Sequence, residues 1–89
     1  MKFSDLDFQP HPVWSDGVQE KHFFDNGYGV SVIRSRHSYG GSKGLYEAAV
    51  LKGNDEEYEV YYETHITDDV LGHQNEDQID YVLPDIQKL

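Results

Sequence analysis

No cysteine occurs anywhere in the chain, which excludes a disulfide framework and every thiolate metal site. That absence fits an intracellular protein. Cations are scarce too: seven lysines and arginines stand against 17 aspartates and glutamates, a formal net charge of −10. Duplex DNA, RNA and anionic lipid all repel such a surface unless its few cations cluster. The cations are Lys2, Lys21, Arg34, Arg36, Lys43, Lys52 and Lys88. Only Arg34, Arg36 and Lys43, with His37 nearby, form a local group, and it is a weak one. No direct nucleic-acid binding is therefore expected. Long apolar runs are missing as well, none approaching the ~20 residues of a membrane span, so no membrane partner is expected. The opening stretch MKFSDLDFQPHP turns acidic within five residues and lacks the apolar core of a secretory signal. These features together predict a cytoplasmic protein.

What is present is enough for one small domain. Eighty-nine residues leave no room for a second core. The hydrophobic content of 37% is low, and seven Tyr, four Phe and one Trp make up part of the deficit. An aromatic ring buries a large area, and a Tyr hydroxyl can stay at the wet edge of a core. A disordered chain of this acidity would carry few such residues.

The order of signals predicts an α+β fold, a four-stranded antiparallel sheet with one C-terminal helix. Residues 1–17 read as irregular, with Pro10 and Pro12 around His11 and a turn at Asp16-Gly17. Phe3, Leu6, Phe8, Val13 and Trp14 are too many large apolar groups for a free tail, so this segment should drape over the sheet, pinned by Trp14 or Phe8. Strands are expected at 18–24 and 28–36, joined at Asp25-Asn26-Gly27, where Asn-Gly suits a tight primed turn. Residues 37–44 form a loop with three glycines, followed by an apolar strand at 45–51 and a turn at Gly53-Asn54-Asp55. The last strand, 58–64, alternates, with Tyr58, Val60 and Tyr62 on one face and Glu59, Tyr61 and Glu63 on the other. Thr67-Asp68-Asp69 reads as the entrance to a short helical turn ended by Gly72. Asn75 suits an N-cap with Gln78 completing a capping box, and Ile79, Val82, Leu83 and Ile86 recur at helical spacing. Pro84 should kink that helix or end it early.

Chemical motifs are weak throughout. The five histidines, His11, His22, His37, His65 and His73, are never closer than eight residues, whereas local zinc pairs need two to five. The Asp55-Glu56-Glu57 run lacks the alternating oxygen ligands of a calcium loop. Thr67-Asp68-Asp69 reads more simply as a cap. No Ser-His-Asp order is recognisable. The glycine-rich segment from Ser38 to Gly44 carries one lysine but precedes a strand, so it lacks the helix N-terminus that strengthens a phosphate cradle. No cofactor, no metal and no catalysis are expected.

The tyrosines beside carboxylates are the feature with functional content. Eleven of the 17 acids follow residue 54, against one cation, Lys88. The plainer reading is a solvated face that keeps the protein soluble. The alternative is a contact surface in which carboxylates stand where nucleic-acid phosphates would lie and tyrosines supply contact area. Its candidate residues are Tyr58, Glu59, Tyr61, Tyr62, Glu63, Asp68, Asp69, Glu76, Asp77 and Asp80.

The string Phe24-Asp25-Asn26-Gly27-Tyr28-Gly29-Val30-Ser31-Val32, then Tyr39-Gly40-Gly41 and Gly44-Leu45-Tyr46-Glu47, and later Ile66-Thr67-Asp68-Asp69-Val70-Leu71-Gly72, resembles a group of short tailed-phage proteins. The resemblance spans roughly residues 8–86 and carries no activity, so no residue inherits a role from it. It implies a context, since small acidic phage proteins often bind and inhibit a host enzyme, including nucleases of restriction or CRISPR systems. The expected partner is then a host protein with a basic surface. Two other classes stay open, a phage structural or assembly component that forms a homo-oligomer and a small metal-dependent enzyme.

Overall fold

The β-branched residues Val30, Val32 and Ile33 favour extended backbone and sit in the most protected strand of an antiparallel sheet. A computed structural model describes residues 1–89. The strands are β1 (Gln9–Pro10), β2 (Val18–Phe23), β3 (Tyr28–Arg34), β4 (Tyr46–Gly53), β5 (Tyr58–Val60) and β6 (Leu71–Gln74), and one helix follows, α1 (Glu76–Gln87). They pair antiparallel in the order β1-β2-β3-β4-β5, and β6 also pairs with β4. Residues 51–53 of β4 take β5, and Tyr46 and Ala48 take β6, so the two short strands share one edge of β4.

The sheet therefore has six strands, not four. One addition, β1, is only two residues long and ends in Pro10, which an edge strand tolerates because nothing needs its missing N–H. The other, β6, replaces the helical turn expected after Thr67. Thr67 Oγ1 accepts the Asp69 N–H at 3.1 Å and donates to the Asp69 carbonyl at 2.8 Å. Such local bonds compete with helix formation, and the chain passes straight into β6, which completes the edge of β4 that β5 leaves free. The β5 strand is also shorter than expected, ending at Val60.

The hairpin between β2 and β3 lies where Asn-Gly placed it, but only Gly27 has a left-handed backbone, at φ 85°. With Phe24 N–H bonded to the Tyr28 carbonyl at 2.8 Å, it is a three-residue loop closed by a glycine bulge rather than a two-residue primed turn. At α1 the capping box forms: Asn75 Oδ1 accepts the Gln78 N–H and Gln78 Oε1 accepts the Asn75 N–H, each at 2.8 Å. The helix does not end at Pro84 but continues to Gln87. Breaking there would expose Ile86, whose burial is worth about 1.5–3 kcal/mol, comparable to the ~3 kcal/mol cost of an internal proline.

The core lies between α1 and one sheet face. Val30, Val32, Ala48 and Val50 meet Ile79, Leu83 and Ile86 there, all buried. The N-terminal segment closes the side of this layer. Its 3-10 turn, Phe3–Asp5, is tied to α1 by a bond from the Phe3 N–H to the Asp80 carboxylate. Phe3, Phe8 and Tyr46 form an aromatic triad with centroid separations of 5.1–5.7 Å. Phe8 thus pins the segment, and Trp14 pins the following turn between the imidazoles of His11 (4.7 Å) and His37 (5.2 Å).

Asp16 fastens this corner. Its carboxylate accepts the Arg36 N–H at 2.9 Å. That backbone bond, with smaller help from the Arg36 and His37 charges, holds the Asp16 carboxyl below its ordinary value. The folded-state value is depressed, so the fastening is present above the unfolded carboxylate value and is lost as pH falls through the depressed one. Acid titration followed by NMR should therefore move the Arg36 amide together with the Asp16 carboxyl, and D16N should abolish that step. An Arg36 amide that stays fixed until global unfolding would refute the fastening.

Candidate functional site

The sheet face turned away from α1 carries Lys21 and Phe23 of β2, Ile33 of β3, Leu51 of β4, and Tyr58 and Val60 of β5, as the pairing registers require. Leu51 is 1% exposed although it lies outside the helix-side core. Two aromatic rings share this face. The Phe23 ring crowds Gly29, where a Cβ would sit 2.7 Å from Phe23 Cδ1, and the Tyr58 ring lies 5.4 Å from the Phe23 ring. Lys21 Nζ donates to the Tyr58 hydroxyl at 2.6 Å and sits 4.7 Å from the ring centroid. Tyr58 thus reaches from β5 across the sheet to β2 and remains 41% exposed.

Val60 and Tyr62 extend the same row, exposed by 41% and 47%. Tyr61 points the other way. It is half-buried against Tyr28, at 5.9 Å between rings, with Lys52 Nζ 4.7 Å from its own ring. Glu59 stands opposite Lys52 in the ladder and is exposed, as is Glu63. The turn before β5 adds exposed Asp55, Glu56 and Glu57, its shape set by Asn54 Oδ1, which accepts the N–H groups of Glu56 (2.9 Å) and Glu57 (3.0 Å).

Asp68 and Asp69 are exposed in the loop that returns to β6. The Asp69 carboxylate is engaged locally by the Val70 N–H at 2.7 Å. Glu76 and Asp77 are exposed on the first turn of α1, whereas Asp80 is half-buried and holds the N-terminal segment through Phe3. The candidate residues therefore fall into two groups. Tyr58 to Glu63 lie beside the end of β4, Glu76, Asp77 and Asp80 in α1 follow β6 beside its beginning, and Asp68 and Asp69 stand in the loop that joins the two. At ~3.3 Å per residue, the ends of β4 are about 23 Å apart.

Sequence reasoning placed Tyr58 and Tyr62 on one face and Tyr61 on the other, but it missed Lys21, Phe23 and Lys52 as their partners. Lys52 was readable from the register of the 46–60 hairpin. Lys21 and Phe23 meet Tyr58 only through the successive registers of β2, β3, β4 and β5, and left no local signal. No three histidines, aspartates or glutamates are grouped to hold a metal ion. The surface clefts are shallow; one of 350 Å³ is lined by His22, Phe23, Phe24, Asp25, Asn26 and Gln87. No helix is long and apolar enough to cross a membrane. No family model, no curated protein and no solved structure matches the chain.

Proposed function

We propose that the protein is a non-catalytic acidic binding protein, a phage-encoded inhibitor that docks on the basic surface of a host nucleic-acid-handling protein as a partial nucleic-acid mimic. The observation that carries this reading is the row of exposed Tyr58, Val60 and Tyr62 flanked by exposed Glu59 and Glu63. Partly exposed tyrosines give contact area at low entropy cost, Tyr58 being already held in place by Phe23 and Lys21, and carboxylates around them steer a cationic partner. Asp68 and Asp69 widen the charged rim, and Glu76 and Asp77 offer a second patch. Tyr61 and Asp80, already engaged inside the protein, act as supports for this surface rather than as free anchors.

The test is capture from host lysate with nuclease added, at low and at raised salt, by the tagged protein and by E59Q/E63Q/D68N/D69N. A specific host protein should be retained at low salt and shed at high salt. Its association rate should fall roughly tenfold or more in the fourfold variant, a difference that shrinks as salt screens the charges. An unchanged rate in a folded variant would rule out the electrostatic contact.

A further inference from the structure

We infer that the free edge of β5 takes up an extended cationic segment of the partner as an additional strand, an inference that rests on the binding function proposed above. The ladder on β4 fixes which backbone groups are free. Asn54 N–H bonds to the Glu57 carbonyl, Glu59 pairs with Lys52, and Tyr61 N–H bonds to the Val50 carbonyl at 2.8 Å. Antiparallel pairing alternates, so these odd-numbered residues face β4, and the N–H and C=O groups of Tyr58, Val60 and Tyr62 face outward. No turn or loop backbone bonds to them, and the one side-chain bond at this row, from Lys21 Nζ to the Tyr58 hydroxyl, leaves the backbone groups open. An open row of donors and acceptors is a template for another strand.

Side chains select the occupant. Along the edge, Tyr58, Val60 and Tyr62 line one face while Glu57, Glu59 and Glu63 line the other, all exposed. A second copy fits poorly: antiparallel self-pairing centred on Tyr58 sets Glu57 opposite Glu59, and centring on Val60 sets Glu57 opposite Glu63. Like charges directly opposite destabilise a strand pair. A segment alternating lysine or arginine with apolar residues satisfies both faces at once, its cations over the glutamates and its apolar side chains over the tyrosines.

The probe is a short peptide of alternating lysine and valine, together with the same peptide N-methylated at every second residue to block its ladder while keeping its charge. The unmethylated peptide should bind at low salt and slow hydrogen exchange at the Tyr58, Val60 and Tyr62 amides by about tenfold or more. The methylated peptide should bind at least tenfold more weakly. On the protein side, V60P removes an outward donor without touching the bonds to β4, which an edge strand tolerates; it should weaken the peptide comparably at unchanged circular dichroism. If V60P fails to fold, the peptide pair still decides. Equal binding of both peptides overturns strand addition and leaves the charge-based reading standing. Binding of neither, with salt-sensitive capture of a host protein intact, overturns strand addition alone. Amides of β5 already protected in the free protein, with a doubled solution mass, would give the edge to a second copy and overturn the inference.

Discussion

Gly41→Ala should destabilise the protein by about 3–5 kcal/mol, among the largest effects available to one methyl group. Gly41 opens a short 3-10 turn, Gly41–Lys43, in the loop between β3 and β4. Its backbone is not left-handed, unlike those of Gly40 and Gly44. The requirement is purely one of space. A Cβ at this position would overlap the Ser35 carbonyl oxygen and lie 2.6 Å from both the Ser35 carbonyl carbon and Ser38 Oγ. Neither neighbour can yield cheaply. Ser35 and Ser38 are buried, and they bind each other twice, Ser35 N–H to Ser38 Oγ and Ser38 Oγ to the Ser35 carbonyl, each at 2.9 Å. The Gly41 N–H itself reaches the Ser38 carbonyl at 3.0 Å. Accommodating the methyl group means breaking that buried network, where each unsatisfied polar group costs about 1–3 kcal/mol.

Gly44→Ala is the control. Gly44 has φ 77° but open space where a Cβ would stand. Its cost should be the conformational one alone, about 1–2 kcal/mol. For a domain of this size each kcal/mol moves the thermal midpoint by about 4–8 °C, so the two variants should separate clearly in a melting experiment. Equal midpoints would mean that the Ser35–Gly41 approach is loose enough to admit a methyl group. A glycine-rich string by itself suggests only a mobile loop and says little about packing. Here three glycines in eight residues serve a compact turn built on two buried serines.

Local chemistry was legible in proportion to how local its cause is. The Asn75–Gln78 box, the stripe of Ile79, Leu83 and Ile86, and the hairpin at Asn26-Gly27 each depend on residues within a few positions. The two added strands, β1 and β6, do not. In β6, Leu71-Gly72-His73-Gln74 has no alternating apolar pattern, and His73 even has a positive φ of 54°. It is a strand because β4 runs past the end of β5 and leaves part of its edge open. The candidate surface shows the same limit. Alternation separated Tyr61 from Tyr58 and Tyr62 correctly, yet only the three-dimensional arrangement shows that Tyr61 packs inward on Tyr28 and Lys52 while the other two stay exposed. A run of acids continuous in sequence likewise becomes two patches, because β5 and α1 flank opposite ends of the same strand.

Asn26→Asp should cost about 2–3 kcal/mol, more than Asn26→Ala, even though aspartate is the closer isostere. The Asn26 amide is the point where the β2–β3 hairpin and α1 are joined. Its Nδ2 donates to the carbonyls of Ile86 at 2.9 Å and Gln87 at 3.0 Å, and its Oδ1 accepts the Tyr28 N–H at 3.0 Å. The end of a helix leaves carbonyls without partners and carries partial negative charge. The last turn of α1 holds no basic residue, so the cations at that end are Lys88 at the C-cap and the Met1 ammonium, which donates to Gln87 Oε1 at 3.1 Å. Pro84 leaves the Asp80 carbonyl one turn earlier without its helical donor. Asn26→Ala loses all three bonds but adds no charge, and because the freed groups are part-buried or exposed and can turn to water, the cost stays at about 1–2 kcal/mol. Asn26→Asp keeps the bond to Tyr28 and loses only the donated pair, but it sets a carboxylate against two carbonyl oxygens at the negative helix end. If capping of α1 is the main role of this residue, the charged variant is the worse of the two at neutral pH, by chemical denaturation and by earlier exchange of the last α1 amides. The reverse order would mean that the Tyr28 bond matters most, and α1 would then be held at its C-terminal end by the burial of Leu83 and Ile86 and by the bonds of Lys88 and Leu89 N–H to the Pro84 and Ile86 carbonyls.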